Sequence, residues 1–169
     1  MRTLRPFSHN AAIVKASLER QAENLKLKFY LEDPKDEVED SLEEGEWKTW
    51  PRADGLWKTT CFEFFLGKTG EESYWEFNFS PSRQAWNCYR FEGYRLPQPP
   101  ISSQDFELVA LKMTSDTFEC TLKSKVETGQ CEANLAAVVK TTRGVSFFAL
   151  EHASAKPDFH LRKGFILGL

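Results

Sequence analysis

Carboxylate and amide side chains are interleaved with aromatic residues in the middle of the chain. Between positions 73 and 80, Glu76 and Asn78 alternate with aromatic residues, and this period of two is typical of a strand with one polar and one apolar face. Glu63 lies between two phenylalanines in an earlier run of the same kind. If these runs pair as neighbouring strands, the three polar groups lie around one face or rim of a sheet.

Two aromatic residues accompany this polar group: Trp57 just before the first run, and Tyr89 in the run from 85 to 91. Carboxylates and amides make paired hydrogen bonds to vicinal hydroxyls, while aromatic rings cover the apolar C–H face of a pyranose. The combination therefore predicts a carbohydrate site in which Trp57 and Tyr89 stack on the sugar. Further candidates for its rim are Arg52, Arg90 and His160.

The same residues admit other interpretations. Glu63, Glu76 and Arg90 could form cross-strand ion pairs on a solvated sheet face, each worth roughly a few tenths of a kcal/mol. Glu63 and Glu76 could instead be a glycosidase pair, although nothing in the sequence fixes their separation. His152 or His160 could act as a general base, but no nucleophile elbow, phosphate loop, H-E-x-x-H motif or dinucleotide fingerprint is present. We therefore expect a binding domain rather than an enzyme.

The segments that must position these residues are mostly short strands with Gly, Pro, Ser or Asp between them. Such spacing is typical of an antiparallel sandwich. We expect one all-β domain over residues 1–169, a jelly-roll or immunoglobulin-like β-sandwich with at most one short helix. Glu132–Lys140 has the most helical character, although Val138 and Val139 also suit a strand. The predicted strands are 12–18, 25–31, 60–66, 73–80, 85–91, 106–113, 117–123 and 145–152, with a short helix as the alternative for 12–18.

A strongly acidic segment separates two of these strands. Residues 32–46 contain nine acidic residues and one lysine, a charge of −8, so the rest of the chain carries +5 of the total of −3. A run of like charges is usually solvated, and we predict an acidic loop insertion over 32–50. Calcium prefers oxygen ligands, but the spacing of a calcium-binding loop is absent. A protein-interaction role for this loop is the further alternative.

Composition excludes several classes of protein. A small negative net charge gives no basic stripe for nucleic acid, and no apolar run is long enough for a membrane helix. No long apolar run follows the N-terminal charges, so we expect no secretory signal and a cytoplasmic location. The four cysteines lack a C-x-x-C pair and are expected to be free thiols in a reducing compartment. They are Cys61, Cys88, Cys120 and Cys131.

Two motifs in the aromatic region resemble a known family. Trp57 stands just before a strand with Glu63 six residues later, and an aromatic-rich strand then ends with Asn78 and Pro81. At these residues the sequence resembles the DOMON-like superfamily of β-sandwich binding domains, and within it the family 9 carbohydrate-binding modules. The resemblance implies that Trp57 is a stacking platform, Glu63 an acceptor for hydroxyls and Asn78 a second polar contact.

The sequence departs from that family at two places. Glu76 stands where the sugar-binding modules usually have an arginine, and the second tryptophan near the C-terminus is missing. The nearest substitute is Lys156–His160, which looks like a motif of a bacterial stand-alone branch of these domains. The resemblance thus implies a small soluble ligand of altered type, such as an amino sugar or a muropeptide-like cell-wall fragment.

Some DOMON domains bind haem through axial histidine and methionine, which makes haem the alternative ligand. Met113 with His152 or His160 could supply such a pair. Met113 is the last residue of an amphipathic strand, however, where methionine is more often a packing residue than a ligand. The sequence therefore favours a bound carbohydrate, without a metal or cofactor.

Overall fold

Two antiparallel sheets packed face to face form the protein in a computed structural model that describes residues 1–8, 11–40 and 42–169. The strands are β1 Arg2–Thr3, β2 Arg5–Pro6, β3 Ile13–Gln21, β4 Asn24–Glu32, β5 Gly45–Trp47, β6 Cys61–Lys68, β7 Tyr74–Ser80, β8 Ala85–Phe91, β9 Ile101–Ser102, β10 Phe106–Met113, β11 Thr117–Ser124, β12 Cys131–Thr141, β13 Gly144–Ala149 and β14 Leu167–Gly168. The first sheet has the order β1-β3-β4-β11-β10-β5 and the second β2-β13-β12-β6-β7-β8-β9, with β14 on β12. The predicted all-β sandwich is confirmed.

Aromatic and aliphatic side chains with a period of two fill the space between the sheets. Strand β4 alternates buried and more exposed residues along its length, and its Phe29 stacks on Phe62 of β6 with ring centroids 4.7 Å apart. Phe64 of β6 stacks on Phe77 of β7 at 3.9 Å. The inner face predicted for 73–80 is confirmed, because Phe77 lies in this core together with Trp75 and Phe79.

The second sheet is also covered on its outer face, which a simple two-layer sandwich leaves to solvent. Every residue of β7 is buried, and so is nearly every residue of β6. The cover consists of the 3₁₀ turn at Leu56–Lys58 and of Phe159 and Phe165 from the C-terminal segment. A second 3₁₀ turn at Arg162–Gly164 lies in that segment. This cover creates a second, smaller apolar cluster in which the candidate site lies.

The segment with the most helical character is a strand. Residues Glu132–Lys140 lie within β12, which pairs with β6 on one side and β13 on the other. Its alanines and leucine favour a helix locally, but both edges of the segment find ladder partners, and Leu135 and Val139 fill the inter-sheet core. Tertiary pairing therefore overrides the local preference, and no α-helix occurs in the three ranges named above.

The acidic segment is tied to the body of the sandwich at several points. The Asp40 carboxylate accepts the Thr60 N–H at 2.8 Å, Glu37 pairs with Arg143 at 3.0 Å, and Leu42 is buried. The segment ends in the short edge strand β5, which pairs with β10. Its side chains otherwise remain largely accessible, and its protein-interaction role stays a prediction.

Across the described ranges, no helix is long and apolar enough to cross a membrane.

Candidate functional site

A cleft of about 260 Å³ opens on the outer face of the second sheet, between the turn at Leu56–Lys58 and the C-terminal segment. Its floor is polar and its walls are aromatic, a combination typical of small-molecule sites. The residues that line it are Trp57, Glu63, Glu76, Phe91, Arg95, Gln98, Pro100, Val138, Phe147, Pro157, Phe159 and His160. Four of the eight sequence-predicted site residues, Trp57, Glu63, Glu76 and His160, are thus brought together.

Two buried carboxyl groups form the floor. Glu63 of β6 lies opposite Asn78 of β7, and Glu76 lies two residues away on the same face, opposite Tyr89 of β8. The exposed fractions are only 3% for Glu63 and 6% for Glu76. Burial raises the pKa of both carboxyl groups, and the charge of Glu76 raises the pKa of Glu63 further.

Asn78 supports this floor from behind. Its Nδ2 donates to Oε1 of Glu76 at 2.9 Å, and its Oδ1 lies 3.7 Å from Sγ of Cys61. The hydrogen bond lowers the pKa of Glu76, but burial outweighs it. Asn78 is completely buried and does not line the cleft. The structure therefore gives Asn78 contact with Glu76 rather than with the space a ligand would occupy.

A chain of polar groups orients His160 above the floor. The Tyr74 hydroxyl accepts the backbone N–H of Arg95 at 3.2 Å and lies 2.9 Å from Nδ1 of His160. We assign the hydroxyl proton to this hydrogen bond, which leaves the ring proton on Nε2. Nε2 faces Oε2 of Glu76 at 3.9 Å. Burial and the charge of Arg95 lower the pKa of His160 to about 4, so the ring is neutral at pH 7 and this contact is not an ion pair.

Asp158 joins the two pieces of chain that border the cleft. Its carboxylate accepts hydrogen bonds from the Tyr94 hydroxyl at 2.6 Å and from Nη2 of Arg95 at 3.2 Å, and also from the backbone N–H of His160 at 3.1 Å. Burial raises the pKa of Asp158, but these donors lower it more, and the net shift is downward. The Arg95 guanidinium is thereby paired with Asp158.

Trp57 is the accessible aromatic wall of the cleft. It is 41% exposed, and its ring meets Tyr89 edge-on at 6.2 Å. Tyr89 is buried behind it and donates its hydroxyl proton to Asp54 at 2.7 Å. Phe91, Phe147 and Phe159 complete the apolar walls. Of the two stacking rings predicted, only Trp57 lines the cleft, and Tyr89 packs behind it.

The two predicted rim arginines lie elsewhere. Arg52 stacks on Trp86 at 3.9 Å and donates to the carbonyl oxygen atoms of Ser103 and Phe106. Arg90 stacks on Trp75 at 4.3 Å and donates to Ser73. Neither lines the cleft. The position of Arg90 follows from the pleat, since Arg90 and its partner Trp75 point to the opposite side of the sheet from Glu76. Arg52 lies outside the named strands and is held by its contact with Trp86.

Arg95, Gln98, Phe91 and Phe147 are cleft residues that the sequence interpretation did not nominate. Arg95 and Gln98 lie in the irregular loop after β8, where no periodicity predicts a direction for a side chain. Phe91 is in phase with Tyr89 on β8, so the alternation that selected Tyr89 also applies to it. Phe147 reaches the site from β13, a pairing that depends on the whole sheet order.

A larger open groove of about 650 Å³ lies on the outer face of the first sheet. Its charged groups are largely neutralised within the groove, since Lys28 pairs with Glu119 at 2.6 Å and Lys112 with Glu46 at 3.0 Å. Trp47 lies at its border. We favour the smaller cleft as the site because its carboxyl groups lack such partners and an exposed aromatic ring borders it.

The residues nominated for haem do not meet. Met113 is buried between the sheets, whereas His160 lies on the outer side of the second sheet. His152 contacts the Arg5 carbonyl oxygen at 2.8 Å through Nε2. Within the described ranges, no group of three or more His, Cys, Asp or Glu side chains is arranged to hold a metal ion. All four cysteines are free and buried.

Comparison with known proteins shows a likeness in structure but none in sequence. No protein-family model and no curated protein matches the chain. A crystal structure of a proposed carbohydrate-binding protein from Bacteroides uniformis ATCC 8492 superposes with a TM-score of 0.66 at 11% identity, over 96% of this chain and 84% of that one. At this identity the likeness shows a shared β-sandwich fold. The DOMON-like resemblance stays a prediction.

Proposed function

We propose that this domain binds a small carbohydrate in the cleft between Trp57 and the Glu63–Glu76 floor, without transforming it. The observation that carries the proposal is that one accessible tryptophan side chain and two buried carboxyl groups line a single cleft. The ring would cover the C–H face of a sugar. The carboxyl groups would hydrogen-bond to vicinal hydroxyls.

The size of the cleft favours a short ligand. A volume of about 260 Å³ lies near the lower end of small-molecule pockets, which start at about 300 Å³. The cleft is also bordered by the turn before β6, the loop after β8 and the C-terminal segment, so it is not a long open groove. These features support a single sugar unit or the end of a short saccharide rather than a fibre.

The structural likeness supports the same class of ligand, because the Bacteroides uniformis protein is itself proposed to bind carbohydrate. The finer expectation from sequence is a DOMON-like domain related to the family 9 modules and located in the cytoplasm. Its ligand would be an amino sugar or a muropeptide-like fragment. Glu76 in place of the usual arginine supports this change of ligand, since it adds an acidic group to the floor.

Calorimetric titration with mono- and disaccharides and muropeptides tests the proposal. We expect at least one to bind with a Kd below millimolar. Trp57→Ala and Glu63→Gln should each weaken that binding at least tenfold, about 1.4 kcal/mol. Trp47→Phe and Glu107→Gln are matched controls on the first sheet and should bind as the wild type does. Absence of binding below millimolar across the panel would refute the proposal.

The same preparations test the non-catalytic part of the proposal. Glu63 and Glu76 are both carboxyl groups, the pair that glycosidases use. We expect chromogenic glycosides to be hydrolysed no faster by the wild type than by Glu63→Gln. Turnover that is lost in both Glu63→Gln and Glu76→Gln would establish an enzyme instead.

A further inference from the structure

We propose that the cleft selects a sugar that carries a free ammonium group, held jointly by the carboxyl groups of Glu63 and Glu76. This inference rests on the proposed carbohydrate site and specifies its ligand. It predicts discrimination between an amino sugar and both its N-acetylated and its neutral counterparts.

The charges around the cleft are unbalanced. The floor has two carboxyl groups, and the only cationic side chain among the lining residues is Arg95. Arg95 already pairs with Asp158 at 3.2 Å, and His160 is neutral at pH 7 because its pKa is lowered to about 4. The charge of Arg95 lowers the pKa of both glutamates, but burial outweighs it. Ionisation of the floor therefore creates buried negative charge that Arg95, shared with Asp158, offsets only in part. Such charge requires a proton or a cationic partner.

The unused acceptor positions match an ammonium group. In Glu76, Oε1 accepts from Asn78 at 2.9 Å, whereas Oε2 has only His160 Nε2 nearby, at 3.9 Å. Glu63 accepts a hydrogen bond from the Cys61 thiol but has no cationic partner among the described residues, and its side chain borders the cleft. The two residues are diagonal neighbours on adjacent strands. An ammonium has three donors, enough to reach both carboxylates, whereas an N-acetyl nitrogen has one donor and no charge.

The walls of the cleft favour the same group. Trp57, Phe91, Phe147 and Phe159 are the aromatic residues that line it. Aromatic faces attract cations through their quadrupole, and a desolvated setting strengthens that attraction. Aromatic walls and acidic floor thus act together on an ammonium, while for a neutral sugar only stacking and hydroxyl contacts remain.

Binding should displace protons from the floor. Burial raises the pKa of both glutamates, that of Glu76 to about 7, so the floor of the free protein is partly protonated near neutral pH. An ammonium between them favours their charged forms. The other titratable groups facing the pair are Cys61, Tyr74, Tyr89, Arg95, Asp158 and His160. Of these only His160 has an ordinary pKa near neutrality, and its lowered pKa keeps it neutral throughout pH 6–7.5.

Calorimetric titration of the full chain with glucosamine, N-acetylglucosamine and glucose tests the inference. At pH 7 we expect glucosamine to bind at least tenfold more tightly than the other two. Its affinity should rise between pH 6 and 7.5, where Glu76 loses its proton. The heat should differ between buffers of different ionisation enthalpy, because protons are released. Glu63→Gln and Glu76→Gln should each abolish the preference, while Glu107→Gln should leave it intact.

The outcomes separate this inference from the proposed function. If glucose or N-acetylglucosamine binds as tightly as glucosamine, and Trp57→Ala weakens that binding, the ammonium inference is overturned and the carbohydrate site stands. If ethanolamine binds as tightly as glucosamine and no neutral sugar binds, the ammonium site is upheld and the carbohydrate proposal fails. If none of these ligands binds, the ammonium inference is overturned, and the carbohydrate proposal fails with it only when the disaccharides and muropeptides of the panel do not bind either. Circular dichroism of each variant establishes that it is folded.

Discussion

The pKa values of Glu76 and His160 are shifted in opposite directions within the same cleft. Burial raises the pKa of Glu76 to about 7 and lowers that of His160 to about 4. The folded protein thus favours the neutral form of both residues, and their contact at 3.9 Å is not an ion pair. A polar floor without internal charge neutralisation is costly for stability and is typical of a functional site rather than of packing.

The first prediction concerns Glu76→Gln and pH. The folded state holds the Glu76 proton more tightly than the unfolded chain does. The contribution of Glu76 to the free energy of unfolding is therefore lost as pH rises from about 4.5 to 7. His160 has the opposite sign: its contribution is lost as pH falls from 6.5 towards 4. Urea denaturation should show the stability of Glu76→Gln relative to the wild type improving by about 1–3 kcal/mol between pH 4.5 and 8. A pH-independent difference would contradict the assignment.

Trp57 carries the second prediction at this scale. Because its ring is 41% exposed, Trp57→Ala should lower the free energy of unfolding by no more than about 1 kcal/mol. Its loss of ligand affinity would then not reflect unfolding. Thermal unfolding with Trp47→Phe as the comparison measures this. A collapse in stability would instead assign Trp57 a structural role.

At the scale of elements, the cleft has a floor on strands and is bordered by two irregular segments. The loop after β8 supplies Arg95, and the C-terminal segment supplies Phe159 and His160. Asp158 connects them through hydrogen bonds to Tyr94 and Arg95. The cleft should therefore keep its shape only while this connection is intact.

The third prediction is that Asp158→Asn loosens both segments. The neutral amide loses the ion pair and weakens the bond from Tyr94, at a cost of about 1–2 kcal/mol. Hydrogen exchange should increase in residues 92–100 and 156–162, and ligand affinity should fall. Glu37→Gln, which breaks a comparable pair with Arg143, is the control and should leave both regions unchanged. Equal exchange in both variants would refute the connection.

The strands of the site could be predicted from sequence, whereas its cover could not. Alternation in 73–80 and 85–91 is a local signal, and it placed Glu76 and Trp75 on opposite faces correctly. Glu63 reached the same face because antiparallel neighbours keep their pleat in phase. Arg95, by contrast, lies in a loop without periodicity, and Phe147 depends on β13 pairing with β12. Arg90 was nominated for the site because the sequence alone did not decide whether the face of β8 with Tyr89 or the face with Arg90 would border the site.

At the scale of the whole molecule, one core joins the two sheets and supports the site from beneath. Phe64 stacks on Phe77 at 3.9 Å directly under the strands that carry both glutamates. The outer cluster around Phe65, Tyr74 and Phe165 rests on the same strands. The position of the floor is therefore tied to the stability of the whole sandwich.

The fourth prediction is that Phe64→Ala destabilises the protein by about 3–5 kcal/mol, since it removes a fully buried ring and leaves a cavity. Chemical denaturation should show this loss as a single transition by far-UV circular dichroism and by tryptophan fluorescence. Val145→Ala, at a more exposed position on β13, should cost less than about 1 kcal/mol. Two separate transitions would show that the sheets do not share one cooperative core.

The indole N–H signals of the five tryptophans test the central claim most directly. In ¹H–¹⁵N spectra recorded during titration with glucosamine, we predict that the Trp57 signal, assigned by Trp57→Phe, shifts in a saturable manner. Trp47, at the border of the larger groove on the first sheet, should not move, and neither should the three tryptophans buried elsewhere in the sandwich. A saturable shift of Trp47 without one of Trp57, or no shift at all across the carbohydrate panel, would contradict a carbohydrate site in this cleft.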